Sequence, residues 1–271
     1  MWLHRGRVER LLGGKSWPGV APRDRHERVM LFELAAAGAG VAAGAIASVA
    51  GFGIGSLLTP LLATAADAKL AVAAVSIPHV IGTAVRFWLV RGHVDRRIFV
   101  WFGITSAVGG LAGALLHANA SSRALAVVFG GLLIFVSLSE LTGLMRRVRL
   151  GRRAAWAAGA VSGVFGGLVG NQGGIRSAAL LAFDTKKEAF VATATAVGLV
   201  VDGARVPVYI ATEGAGLLSI WPVIAFASAG VLVGTLTGMR FLTRVPERLF
   251  RPLVAMLLLG LGVWMLSGGL S

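Results

Sequence analysis

Apolar residues run along this chain in blocks too long for strands and too unbroken for the helices of a water-soluble fold. Residues 31–50, 70–90, 98–116, 124–144, 189–210, 220–239 and 249–266 are such blocks. A block of about 20 apolar residues crosses a hydrocarbon core of about 30 Å as one helix. The pattern predicts an all-α polytopic membrane protein.

Two places interrupt it. Residues 154–169 and 177–183 flank Gly170-Asn171-Gln172-Gly173-Gly174, with Arg176 just beyond. Upstream, residues 31–50 and a short half-helix over 56–65 flank Gly51-Phe52-Gly53-Ile54-Gly55. Unpaired backbone groups are costly in lipid, so a broken helix survives there only when buried in protein or lining a cavity. Two such breaks at corresponding positions in two halves point to a transporter's binding site.

The halves match by a constant offset. Adding 119 takes Gly40 to Gly159, Gly44 to Gly163, Gly51 to Gly170 and Arg86 to Arg205. Further along the offset becomes 121, taking Gly109 to Gly230 and Gly113 to Gly234. The expectation is two repeats, each a re-entrant helical hairpin followed by three transmembrane helices. A basic tail over 1–29, read as disordered, precedes the first repeat at 30–145. A basic linker at 146–153 leads to the second repeat at 154–271. Met30, where the membrane pattern starts, is an alternative first residue.

Composition supports the membrane reading: 56% of residues are hydrophobic and only 14% charged, against about 25% charged in a soluble domain. The formal net charge of +14 would otherwise suggest nucleic acid. Here the cations cluster at 91–97, 146–153, 186–187 and 240–251, the loops that the positive-inside bias assigns to the cytoplasm. No nucleic-acid partner is expected. With three spans per repeat, crossing parity makes the repeats inverted. The basic tail conflicts with a first hairpin that starts outside, and leaves open that residues 31–50 cross fully.

Cysteine is absent, which excludes disulfides and thiol chemistry. The histidines show no metal-ligand spacing, no nucleophile–base arrangement appears, and Gly51 to Gly55 lacks the strand and the Gly-Lys-Ser/Thr of a nucleotide loop. No cofactor, metal or enzyme activity is expected.

The candidate chemistry is cationic. Arg86, Arg176 and Arg205 interrupt apolar runs, and an ionisable group inside a span is a functional candidate by default. A guanidinium fork suits an oxyanion. Arg86 and Arg205 could instead snorkel to the interface, and Arg176 could cap a neighbouring helix. At the breaks, Gly51, Gly53, Gly55, Gly173 and Gly174 would bare the first amides of the half-helices to an anion. Ser56, Asn171, Gln172 and Ser177 would add side-chain hydrogen bonds. The plainer alternative is that these glycines only permit tight turns. Ser76, His79, Thr83 and Arg86 share one helical face, matched at +119 by Thr195, Gly198, Asp202 and Arg205. Asp202 stands three residues before Arg205, a spacing that fits an intrahelical ion pair. Asp202 or His79 is the candidate proton-coupling group; the alternative is that Asp202 only neutralises Arg205. Glu33 and Glu140 are read as interfacial.

The twin glycine breaks, the half-helix with Pro60, the Arg91-Gly92-His93-Val94-Asp95 loop and the four-plus-four layout resemble the TauE/SafE sulfite exporter family, over residues 31–268. The resemblance implies export of small sulfur-containing anions, such as sulfite and organosulfonates, using the proton gradient. The expectation is therefore a multi-pass secondary transporter of the bacterial inner membrane. Its partners would be a small anion and the lipid bilayer, and a homodimer is compatible with the sequence. An importer or exporter of another organic anion, a passive anion channel, and a membrane-embedded enzyme using His79 and Asp202 remain open on the same residues.

Overall fold

The computed structural model describes residues 22–50, 53–144, 152–171, 173–180, 183, 186–241 and 247–267. These form ten α-helices and one 3-10 turn, Arg91–His93, with no strand among them. The helices are α1 Pro22–Ala50, α2 Ile54–Ala63, α3 Ala68–Val90, α4 Arg96–Asn119, α5 Ser122–Leu141, α6 Arg152–Val169, α7 Gly173–Leu180, α8 Lys187–Ser219, α9 Trp221–Phe241 and α10 Glu247–Leu266. Six are long and apolar enough to cross a membrane: α1, α3, α4, α5, α8 and α9. The chain is a multi-pass membrane protein. The expected tail up to residue 21, Gly51, Gln172 and most of the basic linker lie outside the described residues.

Four boundaries differ notably from expectation. Helix α1 begins at Pro22, so residues 22–29 continue the helix rather than belonging to a disordered tail. Proline is well placed at a helix start, where its missing N–H has no acceptor to lose. Helix α8 runs to Ser219 rather than Ile210, leaving only Ile220 before α9. The Thr212–Gly216 stretch reads as a loop by composition. It stays helical because Leu70 packs on Gly216 and Lys69 pairs with Glu213 at 3.6 Å. The half-helices start earlier than expected, at Ile54 and Gly173 instead of Ser56 and Ser177.

Side-chain caps mark the turns. Asp67 accepts the Leu70 amide at 2.9 Å and the Ser122 hydroxyl at 2.8 Å, tying the start of α3 to that of α5. Asp95 accepts the Ile98 amide at 3.0 Å to start α4, and its own amide donates to Thr193 of α8 at 3.0 Å. Each such cap contributes about 1 kcal/mol.

Packing joins the halves rather than separating them. The two most extensive helix contacts are α1 with α9 and α4 with α6. Both are close because small residues face the partner's backbone. A β-carbon on Gly230 or Gly234 would collide with the carbonyl of Ala37 or Val41; one on Gly163 or Gly167 would collide with that of Ser106 or Gly110. Membrane helices associate through such contacts, because lipid supplies no hydrophobic drive between them. The registers rise together, from 37 opposite 230 to 45 opposite 238 and from 106 opposite 163 to 110 opposite 167, so each pair runs parallel.

Helices α3 and α8 run antiparallel through the centre. Lys69 meets Glu213, His79 meets Asp202, and Arg86 meets Thr195: one number rises as the other falls. Helices α5 and α10 pack together beside them.

Candidate functional site

The antiparallel register of α3 and α8 sets opposite one another the two polar stripes seen in the sequence. Asp202 is fully buried. Its Oδ1 accepts Nε of Arg205 at 2.9 Å and Nη2 at 2.8 Å. Its Oδ2 lies 2.8 Å from Nδ1 of His79 on the facing helix. A carboxylate oxygen at that distance assigns the Nδ1 proton to His79. Thr83 Oγ1 is 3.4 Å from the same nitrogen, at the edge of hydrogen-bonding range. Asp202 thus bridges the two central helices, and the i,i+3 ion pair with Arg205 is present.

Arg86 and Arg205 do not snorkel. They are 4% and 1% exposed, and Arg176 is 2% exposed. Arg86 donates through Nε to Thr195 Oγ1 at 3.1 Å and through Nη1 to the Ala47 carbonyl at 2.5 Å. Arg205 donates through Nη1 to the Gly166 carbonyl at 2.8 Å. Both carbonyls lie in the last turn of a helix that stops at a break, α1 for Ala47 and α6 for Gly166. A last-turn carbonyl has no amide further along its helix to accept, and a cation there also meets the negative end of the helix dipole. Gly166 additionally accepts the Gly170 amide at 3.1 Å. Gly170 makes that turn with φ 74, a left-handed conformation that glycine adopts without a steric penalty.

The two breaks touch. A β-carbon on Gly55, in the first turn of α2, would collide with the Gly170 carbonyl; one on Gly170 would sit 3.1 Å from Arg205 Nη1. Gly53 caps α2 with φ 135, a conformation in which a side chain would be strained. Ser56 follows in that first turn and is buried. Gly173, Gly174, Arg176 and Ser177 fall in the first turns of α7 rather than before it. Asn171, 6% exposed, stands between Gly170 and α7, and its Nδ2 has no hydrogen-bond partner among the described residues. Arg176 reaches from α7 to α8: a β-carbon on Gly198 would be 2.7 Å from its Nη1 and 3.7 Å from Thr83 Cγ2. The charges of Arg86, Asp202 and Arg205 all act on it.

Among the described candidates, then, His79, Arg86, Arg176, Asp202, Arg205 and the glycine turns converge. Two contributors were not foreseen. The Tyr209 hydroxyl donates to the Gly167 carbonyl, and His117 Nδ1 lies 2.9 Å from the Leu168 carbonyl, the two rings 4.6 Å apart. With Arg205 on Gly166, three side chains hold three successive carbonyls at the end of α6. Tyr209 carried a signal, being the chain's single tyrosine one turn beyond Arg205. His117, at the end of an apolar run, carried none.

Among the described residues no group of histidine, aspartate and glutamate side chains forms a metal site. No curated protein and no solved structure matches the chain. The family model described as Sulfite exporter TauE/SafE matches residues 36–265, a range that contains the central ion cluster, both breaks and every interhelical glycine contact named above. The chain therefore belongs to the TauE/SafE sulfite exporter family of membrane transporters.

Proposed function

We propose that this transporter carries a small oxyanion, a sulfur oxyanion or organosulfonate, out of the cell by alternating access, with His79 and Asp202 coupling the movement to protons. The observation that carries the reading is Arg86. Its described partners, the Thr195 hydroxyl and the Ala47 carbonyl, are both neutral oxygens. A buried cation whose hydrogen-bond partners are all neutral is costly, and an arriving anion would relieve that cost. Arg205 already has Asp202. The first amides of α2 and α7, together with Asn171 Nδ2, would supply further donors.

The coupling follows from the bridge. Asp202 holds Arg205 on one oxygen and His79 on the other. Protonating the carboxylate would weaken both contacts at once, loosening α3 from α8. Binding an anion at Arg205 would compete for the same guanidinium. Proton and anion would therefore act on one shared element, which is what linked transport requires.

The alternation would follow from an inverted pair of repeats. Contacts correspond by two offsets, with Gly44 against Val231 and Gly163 against Ser106, and Gly40 against Ala227 and Gly159 against Phe102. Such repeats would be related by 119 for α1 and α6 and by 125 for α4 and α9. On this reading 125 would stand in place of 121, with Gly109, facing Ala160, corresponding to Gly234, facing Val41.

A thermal-shift screen of purified protein tests the reading. Sulfite, thiosulfate or a sulfonate should raise Tm for the wild type and should not do so for Arg86→Gln. Stabilisation by carboxylates alone would favour another organic anion as substrate. An unchanged response in Arg86→Gln would remove the arginine from the binding site.

A further inference from the structure

The two polar stripes differ most in size at one step. The first carries the imidazole of His79; at the matching position the second carries Gly198, bare backbone, in the same helical line as Thr195, Asp202 and Arg205. The space is used. Arg176, arriving from the neighbouring half-helix α7, places its guanidinium where a Gly198 side chain would project, with Thr83 of α3 on the other side. Both Gly198 and Arg176 are buried. Nothing about helix α8 itself calls for glycine here: it lies mid-helix, where glycine is less favourable than alanine by about 1 kcal/mol.

We propose that Gly198 is a specificity-determining position, a seat whose missing side chain fixes the Arg176 guanidinium at the level of Arg86, Asp202 and Arg205, so that anions with several oxygens meet two forks together. The inference rests on the proposed function, since it takes Arg176 to be an anion ligand. Gly198 acts only through Arg176 and is a positioning residue. A methyl group there displaces the end of a flexible side chain and no backbone, so the fold survives while the cation moves. A shift of about 1 Å in a binding group is enough to cost a large part of its effect.

The test is a double-mutant cycle on the purified full-length protein, titrated with sulfite and with thiosulfate. Gly198→Ala should weaken binding about tenfold or more, the loss expected when one charge-assisted hydrogen bond is misplaced. Arg176→Ala should weaken it at least as much. Gly198→Ala added to Arg176→Ala should cost nothing further, because no guanidinium remains to displace. Melting without anion should be the same or higher in Gly198→Ala than in the wild type. If Arg176→Ala weakens binding but Gly198→Ala does not, or if their effects add, the seat is refuted and the transport reading stands. If Arg176→Ala leaves binding intact, or the wild type binds neither anion, Arg176 as a ligand is refuted and the seat with it. If Gly198→Ala does not fold, glycine is needed for packing alone and the proposal is overturned.

Discussion

Arg86 and Arg205 make the same bond at two places in the protein: each donates from Nη1 to the backbone carbonyl 39 residues upstream, Ala47 in one case and Gly166 in the other. Each thereby closes the end of a helix that stops inside the protein. The two differ in their second contact. Arg86 uses Nε on the neutral Thr195 hydroxyl, and Arg205 uses it on the Asp202 carboxylate. One arginine is neutralised and its counterpart is held by neutral oxygens. That asymmetry is the physical basis for assigning anion capture to Arg86.

Replacing either arginine by lysine should separate holding from binding. An ammonium group is a single point donor and cannot span a carbonyl and a side chain as the fork does. Arg86→Lys and Arg205→Lys should each lose about 1–3 kcal/mol of stability, read as a lower Tm in detergent. Unchanged melting in both would show that the fork geometry is irrelevant.

Asp202→Asn should be the more damaging change. It keeps the volume, removes the charge and leaves Arg205 buried beside a neutral amide. Breaking one member of a buried pair costs about 3–5 kcal/mol. In proteoliposomes the variant's remaining flux should no longer vary with pH where the wild type's does. A variant that kept the wild-type pH profile would take the coupling role away from Asp202.

The interhelical glycines make a prediction of opposite signs. Gly163→Ala puts a methyl group into the Ser106 carbonyl on the parallel partner helix and should destabilise by about 1–3 kcal/mol. Gly131→Ala, on α5 where a β-carbon meets nothing within 4 Å, should be neutral or gain up to about 1 kcal/mol from helix propensity. Thermal melting of the two variants side by side checks both. Equal effects would mean the close approach of α4 and α6 does not matter.

Tyr209→Phe isolates one of the three clasps on α6. It deletes the donor to the Gly167 carbonyl and leaves the ring packed at a tilt against His117. The loss should be about 1–2 kcal/mol, visible as a lower Tm. Hydrogen exchange should also rise in the amides around the 166–171 turn. A melting temperature and exchange pattern equal to wild type would place the hydroxyl outside the clasp.

Much of this was legible before any coordinates. Spacing alone gives the Asp202–Arg205 pair, because a helix sets residues three apart on one face. The breaks announced themselves as glycines and amides in apolar surroundings. His79 and Asp202 could be named together as candidates, but their contact was not readable, since it depends on how two distant helices slide past one another. Nor was it readable which small residues would meet across the helices, since Val41 opposite Gly234 depends on how α1 and α9 pack. Helix ends followed tertiary contacts rather than composition, as the extension of α8 through Glu213 shows.

The glycine seams run between the halves, with α1 of the first clamped to α9 of the second and α6 of the second clamped to α4 of the first. The halves are thus laced together like clasped fingers. One half cannot tilt against the other as a solid block without unzipping contacts that tolerate no gap. Movement would then fall to the shortest helices, α2 and α7, which carry the glycine turns and Arg176. A gate built this way would open by moving two or three helical turns on either side of a fixed frame.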